Sequence, residues 1–277
     1  MKYANLHLHS TYSDGVLTPR QLVNIGKSLG YRALALTDHE CDGGVREFME
    51  YAKNIGDVDV LPGIEFYGMH EGANLHLTAL DFDMDDPALR ALVNERIEAH
   101  YESTKKRVKR GIDLGIIDGI RWEDVEKYNA PGSWYCPGSL IRAYNTLRIP
   151  MPEGTIEKVF KSPEAQVFAS KTPDASRVIP IVRNAGGIIA LAHPHKRTHF
   201  VPVLVEMGLN GIEICHPDLV DDDPQLAEEM ADKYNLYRSG GTDHTGAMSG
   251  LGGRHARPAF HGISEEEYFT TKERRLG

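Results

Sequence analysis

The stretch "TPRQLVNIGKSLGYRALALTDHE", residues 18–40, contains one helix and one strand, in a pattern that most of the chain repeats. Thr18 is a suitable N-cap, Pro19 fits the first helical position, and Gly30 ends the helix. The short apolar run at 32–37 predicts a buried strand. The strand is followed by "DHE" rather than by ordinary turn residues. The stretch therefore predicts an α/β unit whose strand ends in chemically active side chains.

The same alternation of strand and helix extends in both directions from this stretch. Two of the strands are separated only by "YGMHEGA", residues 67–73, and this short link with a glycine predicts a hairpin. About seven strands, mostly joined by helices, favour an α/β barrel, complete or incomplete, over an open sheet. The predicted strands lie at residues 3–9, 32–37, 58–66, 74–82, 188–194, 211–217 and 236–244.

Residues 86–170 interrupt the alternation with a charged, mostly helical segment. We expect this segment to be an insertion that lies over the barrel as a cap. The barrel itself then consists of residues 1–85 and 171–250. The C-terminal tail, residues 251–277, is rich in glycine and then polar, and its sequence predicts no element.

Composition and charge limit the classes of function. The chain of 277 residues has 31 basic and 40 acidic side chains, a formal charge of −9, which argues against nucleic acid as a partner. Cys41, Cys136 and Cys215 form no disulfide or CxxC pattern. No apolar run has the length of a signal peptide or of a membrane span. We expect a cytoplasmic protein with no membrane attachment.

Histidines and carboxylates collect where the predicted strands end. Six of these ends read "HLHS", "LTDHE", "PGIEF", "LAHPH", "EICHP" and "GTDHT". The carboxyl ends of barrel strands meet at one mouth of the barrel, where the chemistry of such folds is found. His7 and His9, two residues apart on a strand, face the same side. His76 lies near the start of its strand, but the hairpin brings it beside Glu65.

These side chains predict a site for divalent cations. Imidazole and carboxylate ligands without thiolate favour Zn²⁺, Mn²⁺ or Fe²⁺. The candidates exceed the number that one ion uses, so we expect two or three ions with Glu65 as a bridging ligand. The candidate ligands are His7, His9, Asp14, His39, Glu65, His76, His193, Asp243 and His244.

Other polar residues near the strand ends carry different expectations. Asp38 and Glu40 flank His39, and we expect them to orient or cap rather than to bind metal. Cys215 and His216 are expected to pack or to line a pocket wall. The histidines expected at the surface are His70, His100, His255 and His261.

The segments "HLHSTYSDG", "LALTDHE", "PGIEF", "AHP" and "GTDH" resemble, in this order, the motifs of the PHP (polymerase and histidinol phosphatase) family. The likeness is greatest to its stand-alone bacterial phosphoesterases, and it covers most of the chain except the insertion. The resemblance implies an amidohydrolase-like, distorted (β/α)7 barrel with a trinuclear metal centre. It also implies the hydrolysis of phosphate esters.

The chain departs from the family pattern in two places. Family members commonly end with Asp-x-His, whereas Asp243 and His244 are adjacent, so the backbone must turn there for both to reach metal. Relatives often present an arginine and a histidine in the insertion, where this chain has "CPGSLIR" with Arg142. By the family pattern, His7, His9, Glu65 and Asp243 hold the first ion, Glu65, His76 and His193 the second, and Asp14, His39 and His244 the third.

The expected nucleophile is a hydroxide that bridges two ions, because clustered divalent ions lower the pKa of bound water. No covalent protein nucleophile is expected. Lys196 and Arg197, directly after "AHPH", and Arg142 from the insertion are candidates to bind the substrate phosphate. His195 or His199 is a candidate to protonate the leaving oxygen. We expect a small phosphorylated sugar or nucleotide as substrate, with opening of a cyclic phosphodiester and cleavage of the resulting monoester also within reach.

Three other functions compete with this interpretation. An exonuclease-type phosphodiesterase would need a polymerase partner or a basic, aromatic groove for the nucleic acid. A metal-dependent amide hydrolase usually has a bridging lysine inside the barrel, and no strand end carries a candidate. A metal-binding regulator without catalytic activity would not need all the candidate ligands.

Overall fold

Helix α1 (Pro19–Ser28) begins as its sequence predicts in the computed structural model, which describes residues 2–246, 255 and 259–276. The backbone N–H of Gln21 donates to Thr18 Oγ1 at 3.3 Å, and the backbone N–H of Thr18 donates to Gln21 Oε1 at 2.8 Å. This reciprocal cap satisfies two N–H groups at the start of the helix. It fixes the direction in which the chain enters the first crossover helix.

Seven strands form one sheet, in the order in which they occur along the chain. The neighbours β3 and β4 pair antiparallel, as the predicted hairpin requires, and β4 also pairs antiparallel with β5. The other neighbouring strands pair parallel. The strands are β1 (Ala4–Asn5), β2 (Ala33–Leu36), β3 (Asp59–His70), β4 (Ala73–Leu80), β5 (Ile188–Leu191), β6 (Gly211–Cys215) and β7 (Tyr237–Gly240).

The backbone after β7 meets the backbone after β1 and nearly closes the sheet into a barrel. Leu6 N–H donates to Gly240 O at 3.0 Å, and Asp243 N–H donates to His7 O at 2.9 Å. Gly241 fits this seam because a Cβ there would lie 2.4 Å from His7 N. The prediction of a distorted (β/α)7 barrel is confirmed.

Helices cover the outside of the barrel and build the insertion. Residues 87–166 are mostly helical, in agreement with the sequence, and they include a π-helical turn (Glu157–Lys161). A 3-10 turn (Thr198–Phe200) precedes α8. The other helices are α2 (Val45–Ile55), α3 (Pro87–Asp113), α4 (Trp122–Lys127), α5 (Pro137–Leu147), α6 (Pro163–Gln166), α7 (Ala175–Asn184), α8 (Val201–Glu206), α9 (Asp223–Tyr234) and α10 (Glu265–Leu276).

The described residues form two hydrophobic cores. One core belongs to the barrel, and the other lies within the insertion around Trp122, Leu140 and Tyr144. Leu89 and Leu92, in the first turns of α3, pack in the barrel core, whereas Val108 near the end of α3 packs in the insertion core. Helix α3 therefore joins the two cores, and the division at residue 86 stays a prediction.

The C-terminal tail, for which the sequence predicts no element, packs against the first strand. Ile263 N–H donates to Ala4 O at 2.9 Å, and the Tyr268 hydroxyl donates to Asp59 Oδ2 at 2.6 Å. Tyr3 and Tyr268 have ring centroids 5.5 Å apart. Among the described residues, no helix combines the length and the apolar character that crossing a membrane requires.

Candidate metal centre

The His-x-His pair at the end of β1 meets two carboxylates from distant parts of the chain. The Nε2 atoms of His7 and His9 lie 3.1 Å apart, and each lies 3.3 Å from Glu65 Oε2. Asp243 Oδ1 lies 2.9 Å from His9 Nε2. All four residues are buried. Their ligand atoms lie close enough together to hold one cation.

The hairpin of β3 and β4 brings a second group of ligand atoms to the other oxygen of Glu65. His76 pairs with Tyr67 across the hairpin, and its Nδ1 lies 2.8 Å from Glu65 Oε1. His193, at the end of β5, places Nε2 3.2 Å from the same oxygen and 3.1 Å from His76 Nδ1. The position expected for His76 from the hairpin is thus observed.

His39 and Asp14 form a third group on the opposite side of His9. His39 Nδ1 lies 2.9 Å from Glu65 Oε2, and Asp14 lies 3.8 Å from both His39 Nε2 and His9 Nδ1. Glu65 therefore contacts five imidazoles through its two oxygens. This central position is the one expected of a bridging ligand.

Among the described residues, His244 belongs to none of the groups whose ligand atoms all lie within 4.8 Å of one another. Its Nδ1 lies 3.0 Å from the backbone oxygen of His255, and its Nε2 is buried without a hydrogen-bond partner. Asp243 has φ of 45°, the left-handed turn that adjacent ligands require. Among the described residues, the group formed by Asp14 and His39 includes His9 in place of His244. His244 as a ligand stays a prediction.

Four further residues lie at this mouth: Glu213 and Asp218, which the sequence analysis did not single out, His216, which it expected to pack or to line a pocket wall, and His255. Glu213 on β6 is buried and contacts His7, and His216 Nε2 is buried 3.4 Å from Asp243 Oδ2. His255 lies between Asp243 Oδ2 at 2.9 Å and Asp218 Oδ1 at 3.2 Å. The surface position expected for His255 is wrong because it is buried. The strand end "EICHP" carried a signal for Glu213 and His216, whereas nothing local marked His255.

The carboxylates and imidazoles of the cluster shift one another's pKa in opposite directions. Burial alone would raise the pKa of Glu65, but His39 and the other imidazoles hold it well below its usual range. Burial favours neutral His9, but hydrogen bonds to Asp243 and Glu65 outweigh burial and raise its pKa to about 10. Burial lowers the pKa of His76 to about 4.

Unsatisfied buried atoms in the centre fit a cation better than a hydrogen-bond network. Glu65 Oε2 and His39 Nδ1 are buried, and neither makes a hydrogen bond of good geometry although they lie 2.9 Å apart. Buried polar atoms normally have partners, and a cation between these two atoms would supply one for both. The donors are imidazole nitrogens and carboxylate oxygens, which suit Zn²⁺, Mn²⁺ or Fe²⁺.

A cavity of about 280 Å³ opens beside the second group of ligands. Arg197, a candidate to bind phosphate, and His195, a candidate to protonate the leaving oxygen, line it. His195 Nδ1 lies 2.6 Å from Asp223 Oδ2, so its ring orientation is fixed. The full lining is His76, His193, His195, Arg197, Asp218 and Val220.

Residues of the insertion contact the third group of ligands. The backbone N–H of Trp134 donates to Tyr12 O at 2.8 Å, and the ring centroids of Trp134 and His39 lie 4.8 Å apart. The Arg142 guanidinium donates to Asn129 Oδ1 at 2.5 Å and to Ser13 O at 3.2 Å. These contacts place Arg142 against the loop that carries Asp14, and Arg142 is not among the residues that line the cavity.

Three proteins of similar sequence are named for reactions on phosphate esters. A phosphoribosyl 1,2-cyclic phosphate 1,2-diphosphodiesterase from Eggerthella lenta is 28% identical over 87% of this chain and 94% of its own. A 3′,5′-nucleoside bisphosphate phosphatase from Chromobacterium violaceum is 27% identical over 92% and 90%. A 5′-3′ exoribonuclease from Haemophilus influenzae is 27% identical over 87% and 89%.

Solved structures share the fold over nearly the whole chain. A candidate metal-dependent phosphoesterase from Bifidobacterium adolescentis superposes with a TM-score of 0.80 at 22% identity, covering 99% of this chain and 96% of that one. The barrel and its buried cluster of imidazoles and carboxylates define a metal-dependent hydrolase. Residues 5–137, just under half of the chain, match the PHP domain, and the resemblance to this family that the motifs predict is confirmed over these residues.

Proposed function

We propose that this protein is a metal-dependent phosphoesterase that hydrolyses a small phosphorylated sugar or nucleotide. Opening of a cyclic phosphodiester, followed by cleavage of the resulting monoester, lies within the same proposal. The observation that carries it is the position of Glu65, a buried carboxylate in contact with five imidazoles beside a cavity of about 280 Å³. The named relatives support the reaction class.

The ligand groups assign the residues that would hold two or three divalent ions of manganese, zinc or iron. When bound, such ions polarise phosphoryl oxygens and activate water for in-line attack. Glu65 would serve two of the groups, because each of its oxygens faces a different set of imidazoles. The proposed ligands are His7, His9, Glu65 and Asp243 for the first ion, Glu65, His76 and His193 for the second, and Asp14 and His39, with His9 or His244, for the third.

The substrate phosphate would enter from the cavity rather than from the insertion side. Arg197 and His195 line the cavity next to His76 and His193, and they would donate hydrogen bonds to phosphate oxygens. Lys196 lies between them in sequence and belongs to the same proposed set. Arg142 is held by Asn129 and Ser13 on the other side, which supports a structural role for it.

Two features favour a small substrate over a nucleic acid. The net charge of −9 gives little long-range attraction for a polyanion, and the cavity has a volume suited to one sugar phosphate or mononucleotide. The similarity to exoribonucleases makes the 5′ end of an RNA the competing substrate. A cytoplasmic location completes the proposal and is supported by three free cysteines.

A hydrolysis screen with Mn²⁺-loaded enzyme, read out by phosphate release and by chromatography of the products, tests the proposal. The substrates are sugar and nucleoside monophosphates, a 1,2-cyclic pentose phosphate, a nucleoside 3′,5′-bisphosphate and a short 5′-phosphorylated RNA. We expect wild type to hydrolyse at least one small ester. Glu65→Ala, prepared in parallel, should not hydrolyse that ester. Hydrolysis of RNA alone would contradict the small substrate, and activity on a peptide or lactam without any on phosphate esters would contradict the reaction class.

A further inference from the structure

We infer that Glu213 is a positioning residue that fixes the ring of His7 and the backbone of His193 with one carboxylate, and so joins the first and second ion groups. The inference rests on the proposed metal centre. Glu213 lies on β6 between two isoleucines, and its side chain is fully buried.

The two oxygens of Glu213 have different partners. Oε1 lies 2.7 Å from His7 Nδ1, and Oε2 accepts the backbone N–H of His193 at 2.7 Å. His7 belongs to the first group of ligands and His193 to the second. A single buried carboxylate therefore contacts one ligand residue of each group.

The contact with His7 determines which ring nitrogen is available to a cation. A carboxylate has no proton to donate, so His7 Nδ1 must carry the hydrogen of this bond. His7 Nε2 then keeps its lone pair, and it faces Glu65 and His9. A carboxylate behind a metal-binding imidazole has this effect on the tautomer and on the basicity of the ring.

The contact with His193 stabilises an unfavourable backbone conformation. His193 has φ of 29°, in the left-handed region that residues other than glycine rarely adopt. Such a conformation persists only where surrounding contacts determine it. The charged acceptor on the His193 amide is such a contact, and the resulting turn directs Nε2 to Glu65 Oε1 at 3.2 Å.

The variant Glu213→Gln keeps the shape of the side chain but replaces one acceptor oxygen with an NH2 donor. The glutamine can therefore satisfy only one of the two contacts. If the amide oxygen accepts from His193, the NH2 group faces His7 Nδ1 and requires a lone pair there. His7 Nε2 then carries the proton and cannot bind a cation. If the amide is reversed, the His193 N–H loses its partner. Either orientation weakens one ion group.

Cobalt titration of chelator-treated protein tests the inference, with the visible absorption of bound Co²⁺ as readout. We expect Glu213→Gln to bind Co²⁺ about ten- to a hundredfold more weakly than wild type, with an altered spectrum. The matched control is Glu95→Gln, because Glu95 pairs with Arg177 at the surface, and it should bind as wild type does. Equal affinity and spectrum in Glu213→Gln would overturn the inference.

If Glu213→Gln does not fold, an imidazole NMR spectrum of zinc-loaded wild type tests the role of Glu213 instead. The His7 signal, assigned by its loss in His7→Gln, should show the proton on Nδ1. A proton on Nε2 would overturn the role of Glu213. Wild type that binds neither Co²⁺ nor Zn²⁺ would instead overturn the proposed function, so the two failures are distinguishable.

Discussion

At the scale of single residues, Glu65 is the side chain on which the centre depends most. We expect Glu65→Ala to lose bound metal and at least about a hundredfold in turnover, because each of its oxygens serves a different group of imidazoles. Metal analysis and phosphate release measure both effects, and circular dichroism checks the fold. Glu102→Ala, at an exposed pair with Lys105, is the control. Full activity of Glu65→Ala would remove Glu65 from the site.

Two arginines that the sequence treats alike have different environments. Arg197 lines the cavity, so we expect Arg197→Ala to raise KM about tenfold or more with a smaller change in kcat, because a charge-assisted bond to phosphate is lost. Arg142 bonds to Asn129 and Ser13, so Arg142→Ala should mainly lower the unfolding midpoint. Steady-state kinetics and urea denaturation of both variants check this. The reverse assignment of effects would place the phosphate on the insertion side.

At the scale of elements, a buried ion pair fastens α3 to the strand end that carries His39. The Arg96 guanidinium donates to Glu40 and to Lys171 O, and Glu40 accepts the N–H of Tyr67 at 2.7 Å. We expect Arg96→Met to lower the free energy of unfolding by about 3–5 kcal/mol, because it removes the guanidinium from a buried carboxylate and leaves it with His100 Nε2 at 3.2 Å and the Tyr67 N–H as partners.

Urea denaturation of Arg96→Met, Glu40→Gln and the double variant measures the pair. The double variant should lose less stability than the two single variants together, since the residues are in contact. Additive losses would show that the two side chains do not stabilise each other.

The tail helix α10 gives a prediction with a pH dependence. Burial, and then the Asp59 carboxylate beside the hydroxyl, raise the pKa of Tyr268 above its usual value near 10. The resulting stabilisation is present below pH 10 and is lost as pH rises above it, because the unfolded chain then releases the proton first. Tyr268→Phe should lower the free energy of unfolding by about 1 kcal/mol at pH 8. The variant should also lose less stability than wild type when the pH rises above 10. Urea denaturation midpoints of both proteins at pH 8 and above pH 10 check this. An identical change of midpoint with pH in wild type and variant would contradict it.

At the scale of the whole molecule, the proposed ions connect strand ends from His7 to Asp243. We expect a chelator to lower the melting temperature, and Mn²⁺ or Zn²⁺ to restore it, because ligands of the native state stabilise it by about 2.7 kcal/mol at a hundred times Kd. Scanning calorimetry measures the shift, and Glu65→Ala should show little of it. A chelator without effect on wild type, together with no metal in the purified protein, would contradict the metal centre.

The sequence predicted the barrel and most of the centre because both depend on local patterns. The two-residue spacing of His7 and His9, and the hairpin that brings His76 to Glu65, need only strand periodicity and a short link. The ends of barrel strands meet at one mouth whatever the packing details. The tail had no such pattern, and its contacts with Ala4 and Asp59 appear only in the folded chain.

By itself, the sequence determined the fold class and predicted the resemblance to the PHP family and the set of candidate ligands, because element order and strand ends are properties of neighbouring residues. Only the tertiary structure decided that Glu213 contacts both His7 and His193, that His255 is buried, and that Arg142 bonds to Asn129 and Ser13. These contacts join residues that are distant in the chain. The distances between such residues depend on how the strands close into a barrel and how the helices pack against it.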